Sequence, residues 1–236
     1  MRIGLVSDLH ANAVAFDAVR EALTDAGPVD RLVCAGDVVG YNPSPAECVT
    51  ALRSGRAADD VGADRTHTVQ GNHDRAVERP DRYRHNAMAH AGLQHARERL
   101  DDDQLAWLAD LPVETTLADD RVRVVHDHPT ERDRYVRPPA FQSLAPLLGD
   151  ESVLVLGHTH VQHHEWVEDT LVVNPGSVGQ PRDGDPRAAF AVLDLPADAP
   201  PSVAEHRVEY DVEAVQAAVA AAGLPERTGR RLGRGK

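Results

Sequence analysis

Residues 2–10, Arg2-Ile3-Gly4-Leu5-Val6-Ser7-Asp8-Leu9-His10, form a strand-like run that alternates, turns apolar and then stops on an acid and an imidazole. The same order returns four times. Arg31 to Ala35 runs into Gly36-Asp37, and Thr66 to Gln70 into Gly71-Asn72-His73-Asp74. Arg121 to Val125 runs into His126, and Ser152 to Leu156 into Gly157-His158-Thr159-His160. Runs of this kind read as buried strands. In an open α/β sheet, ligands bind at the carboxyl ends of the strands. Five such ends are therefore expected to converge on one site, with oxygen and nitrogen ligands enough for two metal ions.

Between these runs the periodicity changes. Asn12 to Ala26 carries apolar residues at helical spacing (Val14, Phe16, Val19, Leu23) before Gly27-Pro28 stops it, and Pro45 to Arg53 predicts a second helix. Asp81 to Asp110 is helical, with segments over 85–100 and 104–108. The second half is mostly β: besides 121–125 and 152–156, strands are predicted over 163–167, 170–173, 188–195 and 203–210, with one helix near 140–148. Asp211 is placed to cap a last helix over 212–222, closed by Gly223. So many strands exceed a comfortable single sheet. The expected fold is α/β, a four-layer αββα sandwich of two mixed sheets flanked by helices. One domain over residues 1–224, with a helical insertion at about 81–110, and a basic, flexible tail over 225–236 complete the expected organisation.

At 236 residues, with 42% hydrophobic and 27% charged residues and no apolar run of membrane-spanning length, the chain reads as globular. Met1 to Val6 is too short for a signal sequence and no lipidation motif is present, so a cytoplasmic protein is expected. Cys34 and Cys48 offer neither a disulfide framework nor zinc-knuckle spacing and read as small buried residues. A formal net charge of −13 disfavours anionic membranes and general nucleic-acid binding. Lys236 is the only lysine. An acid-rich, lysine-poor composition suits a salt-adapted (halophilic) host, although GC-rich coding also favours arginine over lysine.

The motifs differ in specificity. Asp8 and His10, two apart after a strand, can aim at one cation, or Asp8 can cap the next helix. Gly36-Asp37 either bridges two ions or makes an ordinary turn. Asn72-His73-Asp74 puts an amide, an imidazole and a carboxylate at one strand end, and His73 is a metal ligand or an acid. His158 and His160 can each face a different ion.

In this order the five motifs closely resemble the signature of calcineurin-like metallophosphoesterases. Gly40-Tyr41-Asn42-Pro43, the segment Asn174 to Arg187 and the segment Val208 to Glu213 look like those of small prokaryotic phosphodiesterases and phosphatases of that superfamily. The resemblance implies two divalent cations, with manganese, iron, nickel, cobalt or zinc suiting the nitrogen and oxygen donors. Asp8, His10, Asp37 and His160 would hold one ion, and Asp37, Asn72, His126 and His158 the other. Ions about 3.5–4 Å apart clamp a phosphate and activate a bridging hydroxide. His73 would assist the leaving group, making His73 and Asp37 the catalytic pair.

Where the family usually reads His-Gly-Ser-Pro, this chain has His126-Asp127-His128-Pro129. His126 is taken as the ligand, His128 is its rival, and Asp127 stands where glycine often makes a tight turn. Asn12, Tyr41, Asn42 and Arg182 are candidate substrate contacts. For Tyr41 and Asn42 the alternative is loop packing; for Arg182 it is a salt bridge to Asp183 or Asp185. His85, His90, His95, His163 and His164 are expected to be exposed and not ligands. The implied partner is a phosphorylated small molecule or nucleotide, and the family also suggests a homo-oligomer. The alternatives are a non-catalytic interaction scaffold on the same fold, as in the retromer subunit family, or a dinucleoside polyphosphate hydrolase or protein phosphatase.

Overall fold

The computed structural model describes all residues, Met1–Lys236. Ten strands make two mixed five-stranded sheets. The first contains β1 (Arg2–Val6), β2 (Arg31–Cys34), β3 (Thr66–Thr68), β9 (Ala188–Asp194) and β10 (Ser202–Val208), in the order β10-β9-β1-β2-β3. The second contains β4 (Glu114–Leu117), β5 (Val122–Val125), β6 (Val153–Val155), β7 (His163–Val167) and β8 (Thr170–Asn174), in the order β4-β5-β6-β8-β7. Strands β1, β2 and β3 are parallel to one another, as are β5, β6 and β8. The strands that end in the polar motifs therefore deliver them in the same direction within each sheet.

The period-2 pattern divides each strand between two cores. Ile3, Leu5, Val33, Ala191 and Leu193 from the first sheet meet Val122, Val124, Val153, Val155, Leu171 and Val173 from the second in one intersheet cluster. Their neighbours Val6, Leu32, Cys34, Phe190 and Val192 face outward into a 30-residue cluster. That cluster is covered by α1 (Ala13–Asp25), α2 (Pro45–Arg53), α3 (Arg56–Asp60), α5 (Ala87–Arg99) and α6 (Asp102–Asp110). The two cysteines are buried and unpaired, as expected.

The outer face of the second sheet is covered more thinly. The helix expected near 140–148 is a 3₁₀ segment, Pro138–Leu147, which seats Phe141 and Leu144 on Val125, Leu154 and Val172. Pro146, inside the segment, lacks the amide hydrogen that an α-helical ladder would use there, whereas Pro138 and Pro139 stand at its start.

Strand β4, with the pattern Glu-Thr-Thr-Leu, escaped the sequence reading because it is a mostly solvated edge strand. Val14, expected on the buried stripe of α1, is 38% exposed; Ala15, Phe16, Val19 and Leu23 form the stripe. The flexible tail is corrected too. Helices α7 (Val212–Ala221) and α8 (Glu226–Leu232) pack together, with Leu232 buried against Val215, Val219 and Leu224. A single leucine among arginines gives no readable period, yet it anchors the helix. No helix is long and apolar enough to cross a membrane.

Candidate metal centre

All seven candidate ligands and His73 lie buried in one place. Asp8 and His10 follow β1, and Asp37 follows β2. Asn72 and His73 open the short helix α4 (Asn72–Ala76) after β3. His126 follows β5, and His158 and His160 follow β6. Five of the seven ligand positions adopt left-handed backbone: Asp8 (φ 52°), His10 (45°), Asp37 (53°), His158 (66°) and His160 (59°). Each such residue costs roughly 1–3 kcal/mol and persists only where its surroundings over-determine it.

Those surroundings are identifiable. The Asn174–Gln180 strap braces both motif loops: Ser177 Oγ donates to the Asp8 carbonyl (2.7 Å), Gly179 N–H to the same carbonyl (3.0 Å), and Asn174 Nδ2 to the Gly157 carbonyl (2.7 Å). Ser7 Oγ (2.8 Å) and the His158 N–H (3.0 Å) both donate to Asp8 Oδ2. The other oxygen, Oδ1, is buried without a hydrogen-bond donor, 3.2 Å from His160 Nε2 and 3.7 Å from His10 Nε2. Asp37 divides its oxygens likewise. Oδ1 accepts from His73 N–H (2.7 Å), while Oδ2 stands 3.6 Å from His10 Nε2 and 3.4 Å from His126 Nε2. Gly71 permits this approach, since a Cβ there would lie 2.1 Å from Asp37 Oδ1.

The histidine tautomers follow from the main chain. Nδ1–H donates to the Val39 carbonyl in His10 (3.0 Å), to the Ala35 carbonyl in His126 (2.7 Å) and to the Gln180 carbonyl in His160 (2.6 Å). In the neutral rings of His10 and His160, Nε2 then carries only a lone pair. These two Nε2 atoms nevertheless point at one another across 3.0 Å, and lone pairs turned on one another repel unless a cation lies between them. His126 Nε2 faces two acceptors, Asn72 Oδ1 at 3.1 Å and Asp37 Oδ2 at 3.4 Å, which draw a positive charge, proton or metal ion, to that point. Two groups fit one: Asp8, His10 and His160, and Asp37, His126 and His158, each with its candidate donor atoms within 4.8 Å of one another. His10, Asp37 and His73 meet the same test, leaving His73 close to the first ion position.

The electrostatics agree. Burial, then the charge of His160, holds His10 well below its ordinary pKa, and burial followed by His126 pushes His158 down to about 4. At His126 burial opposes protonation, but Asp37 and Asp8 outweigh it and push the pKa up to about 10. That position strongly attracts positive charge. Asp8 and Asp37 stay below the usual carboxylate range despite burial, because His160 and His126 respectively face them. The residues present therefore suit divalent cations: oxygen and imidazole donors, no thiolate, and orphaned buried atoms at Asp8 Oδ1 and His158 Nε2.

Asp74 braces this floor. Its Oδ1 accepts from Val38 N–H (2.9 Å) and Val39 N–H (3.2 Å), and its Oδ2 from Gly71 N–H (3.0 Å), pinning the turn that carries Asp37. Burial, then the charge of Asp37, pushes its pKa up to about 7.

A pocket of about 150 Å³ opens over Asp37, Asn72, His73, His158 and His160. Of the four candidate substrate contacts, Tyr41 and Arg182 line it. Arg182 makes no salt bridge: Asp183 pairs with Arg207, and Asp185 with Arg187. Its guanidinium is held by neutral acceptors instead, Gln180 Oε1 at 2.7 Å and Tyr41 Oη at 3.3 Å. Asn12 and Asn42 do not line the pocket. Asn12 caps α1 through Ala15 N–H (3.1 Å), and Asn42 Nδ2 donates to the His10 carbonyl (3.0 Å).

His128 stands outside the ligand clusters, with Nδ1 turned to Thr130. Asp127 is not in left-handed backbone. It accepts from Asp133 N–H (2.6 Å) and so shapes the loop leading to Tyr135, whose ring stacks on His158 at 4.1 Å. Sequence reading missed Tyr83, Asn86, Asp133 and Tyr135 on the rim, and His85, expected to be merely exposed, lines the mouth as well. Tyr83 accepts a hydrogen bond from Asn72 Nδ2, orienting the amide so that Oδ1 faces His126. No local pattern announces these residues, because the 3₁₀ turn Pro80–Tyr83, the N-cap of α5 and two loops carry them to the mouth.

A model of the calcineurin-like phosphoesterase superfamily domain matches residues 1–198. The chain is similar to a metallophosphoesterase from Sphaerobacter thermophilus, at 34% identity and a TM-score of 0.78, covering 100% of this chain and 99% of that one. Phosphodiesterase YfcE of Escherichia coli is 27% identical over 195 residues, 82% of this chain and 88% of YfcE. Hypothetical protein PH1004 from Pyrococcus horikoshii shares the fold with a TM-score of 0.86 at 20% identity, covering 100% of this chain and 98% of that one.

Proposed function

The chain belongs to the calcineurin-like phosphoesterase superfamily, and we propose that it is a dinuclear metal-dependent phosphoesterase that hydrolyses phosphodiester or phosphomonoester bonds of a small phosphorylated molecule or nucleotide. The observation that carries this reading is the convergence of bare Nε2 lone pairs and an orphaned carboxylate oxygen around two positions that meet at Asp37 Oδ2. Asp8, His10 and His160 would hold one ion, Asn72, His126 and His158 the other, and Asp37 both. Manganese, iron, nickel, cobalt and zinc all suit this donor set. Two divalent cations there would polarise a phosphoryl oxygen and lower the pKa of a water near it.

The chain's own groups supply the rest. Arg182, charged and without a carboxylate partner, binds a non-bridging phosphoryl oxygen and orients the ester. His73 lies beside His10 and under Tyr41 and Tyr83. Burial, with Arg182 and His160 adding to it, pushes its pKa down to about 4, so it is neutral at pH 7 in the free protein. An arriving anion favours its protonated form, and it donates to the departing oxygen. The scaffold alternative calls for a depleted ligand set, whereas here every ligand position is filled and buried.

The test is hydrolysis of matched mono- and diester aryl phosphates by metal-stripped protein given manganese, nickel, cobalt, zinc or magnesium. We expect turnover that depends on metal and saturates at two equivalents. No turnover with any metal would overturn the proposal. Cytoplasmic residence and a salt-adapted, halophilic host form part of the same reading, the second supported by 38 acids against 25 lysines and arginines, only one of them lysine. Equal thermal stability in millimolar and molar potassium chloride would refute the salt adaptation.

A further inference from the structure

One strongly basic surface of the molecule takes no part in the chemistry above. Arg227, Arg230, Arg231, Arg234 and Lys236, five of the chain's 25 basic residues, line one concavity of about 550 Å³ with no acidic residue among them. Only Arg230 has a carboxylate partner, Glu226 at 3.8 Å, and that exposed pair neutralises little. In a chain of net charge −13, such a surface focuses the local field on anions.

The surface is held in place beside the pocket. Leu232 packs into a cluster that reaches Ala91 of α5. The next residue, Gly92, abuts Tyr41 so closely that a Cβ would lie 2.1 Å from the Tyr41 nitrogen. On the other side Gly184 N–H donates to the Gly235 carbonyl (2.9 Å), and a Cβ on Gly235 would lie 2.5 Å from the Asp185 carbonyl oxygen. The basic segment is thereby fastened to the loop that carries Arg182. Arg231 is half-buried, and after burial itself the charge most unfavourable to it is that of Arg182. Arg231 Nε donates to the Lys236 main-chain oxygen (2.5 Å), which fixes the turn of the segment and leaves Arg227 and Arg234 as guanidinium groups without a carboxylate side-chain partner, suited to binding an anion.

We propose that residues 227–236 extend the pocket beyond Arg182 and bind a second phosphate of the substrate, so that the preferred substrate is a small nucleotide carrying a phosphate besides the scissile one. The inference rests on the phosphoesterase reading of the neighbouring site.

Two probes that differ by one phosphate test it: thymidine 5′-(p-nitrophenyl phosphate), and the same ester bearing a 3′-phosphate. Arg227→Gln/Arg230→Gln/Arg234→Gln changes only exposed side chains, and Arg231→Gln serves as a second variant. Both are expected to raise KM for the 3′-phosphorylated probe about ten-fold or more, with kcat and the plain probe unchanged. Equal losses on both probes, or no change on either, would overturn the inference. Calorimetry with inorganic tripolyphosphate on the metal-stripped protein gives a readout independent of turnover. Binding by wild type that is lost in the triple variant supports the subsite, and no binding by wild type overturns it. Failure of the metal-loaded wild type to cleave either probe, with tripolyphosphate binding intact, would instead count against the phosphoesterase reading.

Discussion

The floor of the site and its rim are built from different materials. The floor's carboxylates and imidazoles project from the ends of parallel strands in both sheets, are buried, and are fixed by main-chain hydrogen bonds. The rim, with Tyr83, His85, Tyr135 and Arg182, comes from loops and from the approach to α5, and Tyr135 is 47% exposed. Five of the seven candidate ligands of the floor are left-handed, against Tyr41 and Asp133 among the residues around the pocket mouth. The difference separates two tasks. On the function proposed above, ligand geometry would be over-determined by the floor, whereas substrate choice would sit on surface that can vary without disturbing it.

The largest break in this contrast is expected from Asp37→Ala. Asp37 Oδ2 faces both ligand groups, so the variant should lose metal as well as turnover, read by metal content after gel filtration. Retention of two ions would remove Asp37 from its bridging role. His73→Ala should separate floor from chemistry: two ions retained, with kcat reduced about 10²- to 10⁴-fold. Wild-type rates would refute the proton-donor role.

Acid should act on the floor before the rim. The folded-state pKa of His158 is about 4, against an ordinary 6.5, because burial disfavours its charged form. As pH falls below 6.5 the unfolded chain takes up the proton first, so the metal-free fold loses stability between about 6.5 and about 4, and no more from this group below that. The upper bound is roughly 3.5 kcal/mol at about 1.4 kcal/mol per pKa unit. Urea midpoints of metal-stripped protein between pH 7.5 and 4 should show this fall, with a shallower slope in His158→Gln; an unchanged slope would contradict it. The smallest effect is expected on the rim. Arg182→Gln should raise KM about ten-fold, roughly 1.4 kcal/mol, with metal content unchanged. Loss of metal in that variant would blur the division between floor and rim.

The floor was legible because strand period and strand end are local properties. Val6 before Asp8, or Val155 and Leu156 before His158, announce a buried strand and its mouth without any tertiary knowledge. The rim was not, for the opposite reason. Asn12 and Asn42 resembled pocket residues in sequence, yet a helix cap and a loop carbonyl claim their amides. Arg182 stands beside two aspartates in sequence, and only the fold pairs both with other arginines. Asp127 was expected to replace a tight-turn glycine, whereas it ties down the loop that leads Tyr135 to His158.

By itself, then, the sequence determined a two-sheet α/β sandwich and which carboxylates, imidazoles and amide gather into one buried cluster, since both follow from short-range alternation and from what stands at the strand ends. Tertiary structure alone decided which Nε2 lone pairs face one another, which guanidinium is left unpaired, and where the helix of residues 226–232 lies. These depend on contacts between segments as distant as Asp8 and His160, or Gly184 and Gly235, and no window of local sequence contains both partners.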